Sequence, residues 1–156
     1  MIRSIDVRAA DLVKNELAAE VLQSYRELRL RVVGSSMLPA IWPGDILSIL
    51  PCRIAEAGPG DIVLFMRQRR LFAHRVVSNA GGQIVTRGDG VQDPDAPLKP
   101  GELIGRVFEI VRRGRTLRPK TRLSLGGRIA AALAARSASA GRLLTRLHGL
   151  PRGAGS

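Results

Sequence analysis

Between residues 28 and 111 the chain is a succession of short apolar runs cut apart by proline and glycine turns. Leu28, Leu30 and Val32 alternate with arginines, and β-rich runs follow over Ile46 to Leu50, Ile62 to Met66, Leu71 to Ser78, Gln83 to Thr86 and Leu103 to Val111. Pro43-Gly44-Asp45, Gly58-Pro59-Gly60-Asp61, Gly81-Gly82 and the stretch from Gly88 to Pro100 separate them, at spacings too irregular for a repeat. No βαβ alternation appears, which argues against a parallel sheet. The expectation is a mainly β fold with a compact all-β core.

Both flanks read as helical. Leu12, Val13, Leu17, Val21, Leu22, Tyr25 and Leu28 recur at steps of three and four after a capping Asp11, so an amphipathic N-terminal helix is expected within residues 1–29. After Pro119 the composition turns to Ala, Gly, Arg and Leu, and Arg128 to Leu147 predicts a second helix in a tail spanning 119–156. On a helical wheel Arg128, Arg136, Arg142 and Arg146 gather on one side, with Ile129, Leu133, Leu144 and Leu147 on an adjoining one. Such a basic C-terminal helix can pack its leucines on the core or on a second copy, lie on an anionic membrane surface, or contact nucleic acid.

The net charge of +12 belongs to that tail: residues 1–111 carry 14 basic and 13 acidic side chains, whereas residues 112–156 carry 11 basic and no acidic ones. With aromatics at only 3%, no stacking platform for single-stranded nucleic acid can be assembled, and nucleic acid is disfavoured as a partner. One cysteine, Cys52, reads as a small buried hydrophobe, and the two histidines, His74 and His148, form no metal-ligand cluster; no metal or cofactor is expected. Neither a signal-peptide core nor an apolar run of membrane-spanning length is visible, so the expected location is cytoplasmic, peripheral to a membrane if the tail binds one. A length of 156 residues suits one domain.

Nucleophilic catalysis needs a hydroxyl on a defined turn, a base titrating near the operating pH, and backbone donors for a developing oxyanion. In Val33-Gly34-Ser35-Ser36-Met37-Leu38-Pro39 a strand ends at glycine, and Ser36 stands at the strand-to-loop corner with its own amide available as a donor. In Leu71-Phe72-Ala73-His74-Arg75-Val76-Val77, alternation puts His74 on the face of Phe72 and Val76, toward the core. The lysines are Lys14, Lys99 and Lys120, and none falls in the strand region between Ser36 and Asp95. Arginine does not deprotonate in proteins. A base for Ser36 must therefore come from His74. The turn from Thr86 to Asp95 crowds Asp89, Asp93 and Asp95 directly after a strand, where one carboxylate could hold the imidazole or all could be solvated.

The order Gly34-Ser35-Ser36-Met37-Leu38-Pro39, Trp42-Pro43-Gly44-Asp45, Pro59-Gly60-Asp61-Ile62-Val63, His74-Arg75-Val76-Val77, Thr86-Arg87-Gly88-Asp89 with Asp95 six positions on, and Leu103-Ile104-Gly105-Arg106-Val107 resembles the signal peptidase I and LexA-like serine peptidases, the S24/S26 group. Its histidine, where many bacterial members place lysine, is similar to the archaeal and endoplasmic-reticulum signal peptidases. The resemblance implies a peptidase domain over 30–118 with Ser36 as nucleophile, His74 as general base, Asp95 as its acid partner and Asp89 as the other acidic site. It also implies a peptide bound as an added extended strand, with small side chains beside the cut. Position 34 is glycine where many signal peptidases carry a hydroxyl, so the oxyanion site falls to Ser36 and other backbone amides or to Ser35. Some thirty leading residues with one helix leave no room for a DNA-binding helix-turn-helix.

The sequence thus predicts a serine endopeptidase, needing no cofactor, that acts on an extended peptide or protein substrate. Two other expectations stand beside it: a catalytically weak or inactive peptide-binding module of the same fold, and a binder of anionic surfaces through the tail. Ala138-Ser139-Ala140 before Gly141 has the small-x-small pattern of a self-processing site.

Overall fold

The structure, a computed structural model, describes residues 17, 20–22, 24–122 and 125–136. The capping Asp11 with Leu12, Val13 and Lys14, the tail residues Arg142, Leu144, Arg146, Leu147 and His148, and the stretch from Ala138 to Gly141 lie outside the described residues.

Seven strands make one sheet: β1 (Leu28–Arg31), β2 (Ile46–Pro51), β3 (Ile62–Arg67), β4 (Arg70–Ala80), β5 (Gln83–Arg87), β6 (Leu103–Arg112) and β7 (Arg115–Leu117). Their order is β1-β2-β6-β3-β4-β5, with β7 on β6, and every pairing is antiparallel. The short connections require this, because antiparallel neighbours can be joined by two residues whereas parallel ones need a crossover. The loops Gln68-Arg69, Gly81-Gly82 and Arg113-Gly114 have positive φ at both positions, the hairpin geometry whose twist matches that of the strands. The last of these turns the chain into β7, a strand the alternation did not announce. A single 3₁₀ turn at Ile54–Glu56, tied by hydrogen bonds between Arg53 and Glu56, is also new.

β3 is buried on both faces, and its unbroken apolar run follows from that. Ile62 and Leu64 enter one cluster with Leu22, Met37, Ile41, Leu47, Ile49, Val107 and Ile110. Val63 and Phe65 point the other way, to Val76, Ile84, Leu98 and Ala57. His74 is paired opposite Val63 and Phe72 opposite Phe65, which puts the imidazole on this second face.

The helix α1, whose described residues fall within 17–25, meets the sheet through Leu22, 2% exposed, with Val21 packed beside it. Gly105 on β6 makes this contact possible, since a Cβ there would collide with the Leu50 carbonyl and come within 2.9 Å of Leu22 Cδ2. The expected helix was longer and wider: Leu28 belongs to β1, and Leu17 and Tyr25, assigned to its apolar face, are 51% and 78% exposed. Arg26, at φ 59°, ends the helix before the strand begins. Cys52 is half-buried against the second cluster, with its thiol donating to the Arg53 carbonyl at 3.4 Å, and burial pushes that thiol up from its ordinary pKa. A second helix, α2, spans Leu125–Arg136. Among the described residues no helix is long and apolar enough to cross a membrane.

Candidate active site

Ser36 lies in the loop between β1 and β2, and its neighbours fasten that loop to the core. Met37, Leu38 and Ile41 are 3%, 0% and 1% exposed, so the hydroxyl-bearing turn is held by apolar side chains immediately downstream. The Leu38 N–H donates to the Ser35 carbonyl at 3.2 Å and the Ile41 N–H to the Met37 carbonyl at 3.0 Å. Asp45, 3% exposed, accepts from the Trp42 N–H at 2.8 Å and from Arg112 Nη2 at 2.7 Å, while Arg112 also reaches the Ala40 carbonyl at 3.0 Å. This ion pair ties the exit of the loop to the end of β6.

His74 rises from the middle of β4 and is 6% exposed. Its ring packs edge-on against Phe65 and tilted against Phe72, each at 5.8 Å between centroids. Imidazole Nε2 lies 3.1 Å from Ser36 Oγ, and Nδ1 lies 2.7 Å from Asp95 Oδ2. A carboxylate only accepts, so Nδ1–H is the donor to Asp95, and in a neutral imidazole Nε2 is then the acceptor for the Ser36 hydroxyl. Asp95 is fixed in turn: its Oδ2 accepts from the Thr86 hydroxyl at 2.7 Å, and its own N–H donates to the Thr86 carbonyl at 2.7 Å. Thr86 is fully buried on β5, and the Asp95 oxygen has two ordered donors although its side chain is 24% exposed.

The acidic turn therefore divides its carboxylates among different tasks. Asp95 meets the imidazole. Asp89, expected as an alternative acid, does not: it receives a two-pronged pair from Arg75, Nε to Oδ1 and Nη2 to Oδ2, both at 2.8 Å. The next residue along β4 from His74 thus points to the opposite face and captures a different carboxylate of the turn. Asp93 is exposed. Ser35 is exposed as well, and no hydrogen bond to its side chain occurs among the described residues; the N–H groups of Ser35 and Ser36 both lack a backbone acceptor among them.

Sequence reasoning missed several supporting residues. Gly88 is one: a Cβ there would stand 2.6 Å from the Ser36 carbonyl and 3.3 Å from His74 Nε2, so only glycine lets the acidic turn close over the pair. Gly90 N–H then donates to the Ser36 carbonyl at 2.8 Å, stitching the two loops together. Arg67 is another. It donates to the carbonyls of Ala96 and Pro97 at 3.0 and 3.1 Å and to Glu102 at 2.7 Å, clamping the segment just past Asp95. The Arg67 guanidinium holds the Glu102 carboxyl below the usual carboxylate range, and the Lys99 N–H adds to that effect. Only the glycine in Thr86-Arg87-Gly88-Asp89 carried a sequence signal for any of this; an arginine at a strand end carries none.

No set of three His, Cys, Asp or Glu side chains among the described residues could hold a metal ion. No protein-family model matches this chain, and no curated protein matches it.

Proposed function

We propose that the protein is a serine endopeptidase related to the signal peptidase and LexA-like group, cleaving extended peptides after small residues through an acyl-enzyme. The observation that carries this reading is the continuous relay from Ser36 Oγ to His74 Nε2 at 3.1 Å and from Nδ1 to Asp95 Oδ2 at 2.7 Å. In the proposed reaction Ser36 Oγ attacks the peptide carbonyl as His74 takes its proton. The Ser36 N–H donates to the oxyanion, and the imidazolium returns the proton to the leaving amine, freeing the new N-terminus. Water then repeats the sequence in reverse on the ester. Asp95 keeps the proton on Nδ1 in the resting state and stabilises the imidazolium in between. Preference for small residues beside the cut comes from the family resemblance alone.

A fluorophosphonate probe followed by intact mass and peptide mapping tests the chemistry directly. Labelling is expected at Ser36, lost in Ser36→Ala and reduced by about 10³-fold or more in His74→Ala; cleavage of a small-residue peptide library that continues undiminished in Ser36→Ala would overturn the assignment. Gly34, which provides no hydroxyl two positions before the nucleophile, favours a second reading, a peptide-binding module that has kept the fold without the reaction. On that reading Ser36 stays unlabelled while peptides still bind.

A further inference from the structure

The basic segment that follows the sheet has no role in the chemistry above, and its composition is one-sided. Residues 112–156 carry 11 basic and no acidic side chains. Among the described residues, Arg113, Arg115, Arg118, Lys120, Arg122 and Arg128 are all exposed, and none is in an ion pair. Arg112 is the exception, spent on Asp45 inside the body. On α2, Ile129 and Leu133 stand one turn apart on the same side, 58% and 57% exposed. Large aliphatic side chains left in water beside unpaired cations need an occupant that offers negative charge and an apolar interior together.

Three occupants can be compared on that requirement. A second copy of this chain would bring an equal excess of positive charge to the contact. A nucleic-acid backbone would neutralise the arginines yet leave Ile129 and Leu133 in water. An anionic bilayer supplies phosphate charge at its surface and hydrocarbon a few ångströms below, matching both features at once. We propose that α2 and the basic segment before it form a docking surface for anionic lipid membranes. The basic segment ahead of α2 is fastened to the body of the protein at residues 120 and 121. The Lys120 carbonyl accepts from Arg75 Nη1 at 2.5 Å, and Thr121 lies so close over Gly60 that a Cβ there would be 2.6 Å from the Thr121 carbonyl. Arg75 also grips Asp89 beside the Ser36 turn, so the fastened end of this segment lies on the flank of the candidate active site.

The test is flotation of the full chain with vesicles, independent of any peptidase assay. Binding is expected to vesicles in which about a quarter of the lipid is phosphatidylglycerol, to be absent with phosphatidylcholine alone, and to fall steeply as salt is raised to about 0.5 M. Ile129→Asp with Leu133→Asp should lower the partition coefficient by about tenfold or more while thermal unfolding stays unchanged, since neither side chain is buried in the body. Retention of vesicle binding by this double variant would overturn the proposal, as would equal binding to neutral vesicles. So would binding of a short DNA duplex in preference to vesicles, unaffected by the two aspartates, because that result assigns the cations to nucleic acid.

Discussion

The two aspartates of the 86–95 turn separate chemistry from scaffolding at the level of single side chains. Asp95 faces the imidazole, so replacing it with Asn leaves shape and volume nearly unchanged but offers Nδ1 an amide that can donate, favouring the wrong tautomer at His74. Asp95→Asn should cut the rate of Ser36 labelling by about 10³- to 10⁴-fold with little change in melting temperature. Asp89 faces Arg75, and its side chain is only 5% exposed. Asp89→Asn strands a guanidinium that is itself 13% exposed, a loss of about 3 kcal/mol. Its signature should be reversed: a melting temperature several degrees lower, with labelling diminished far less than by Asp95→Asn. Parallel thermal unfolding and probe kinetics on the two variants read both quantities, and equal behaviour would remove the distinction between the carboxylates.

Among the elements, strands were legible in the sequence and the contacts between distant loops were not. β-rich runs between turn signals located β2 through β6 within a residue or two because each strand has at least one face against a core, and where both faces are covered, as in β3, the run is apolar without a break. β7 is three residues long with all three exposed, so no alternation could mark it. The meeting of Ser36 and His74, 38 positions apart, was inferred from which residue types could do the chemistry and from a family resemblance, since no local pattern encodes a contact across loops. Still less could Arg67 have been found. It sits at the end of β3 and is joined to Glu102, 35 positions away, immediately before β6.

That clamp makes a pH prediction at the same scale. The Glu102 pKa is lowered in the folded protein by Arg67, so over the acid range the unfolded chain binds more protons than the native one, and stability rises with pH. The contribution is complete above the ordinary glutamate range and disappears as pH falls through the lowered native value. With side chains 16% and 22% exposed the pair is partly screened and is worth on the order of 1 kcal/mol. Glu102→Gln should therefore melt a few degrees below the wild-type protein at pH 7 and converge with it in strong acid. A gap between the two melting curves that stays constant with pH would show that Arg67 gains nothing from the charge of Glu102.

For the molecule as a whole, the question is where the folded body ends. The sheet and the site carry nearly balanced charge, 14 basic against 13 acidic residues through position 111, and the excess begins only beyond it. The structural border is later than the charge border. Residues up to Leu117 complete the sheet through β7, but Lys120 and Thr121 still dock on Arg75 and Gly60, and Arg75 links them to Asp89 and hence to the turn that covers His74. A chain ended after Arg122 keeps this strap, whereas one ended after Leu117 deprives Arg75 of a carbonyl and exposes the Gly60 turn. The shorter chain should be less stable by about 1–2 kcal/mol, a fall of several degrees in melting temperature, and should label more slowly at Ser36, because the Arg75–Asp89 pair loses part of its setting. The chain ended after Arg122 should match the full-length protein in both measurements while losing vesicle binding, which depends on α2. If the two truncations melt together, the strap contributes nothing to the body, and the folded unit closes with β7.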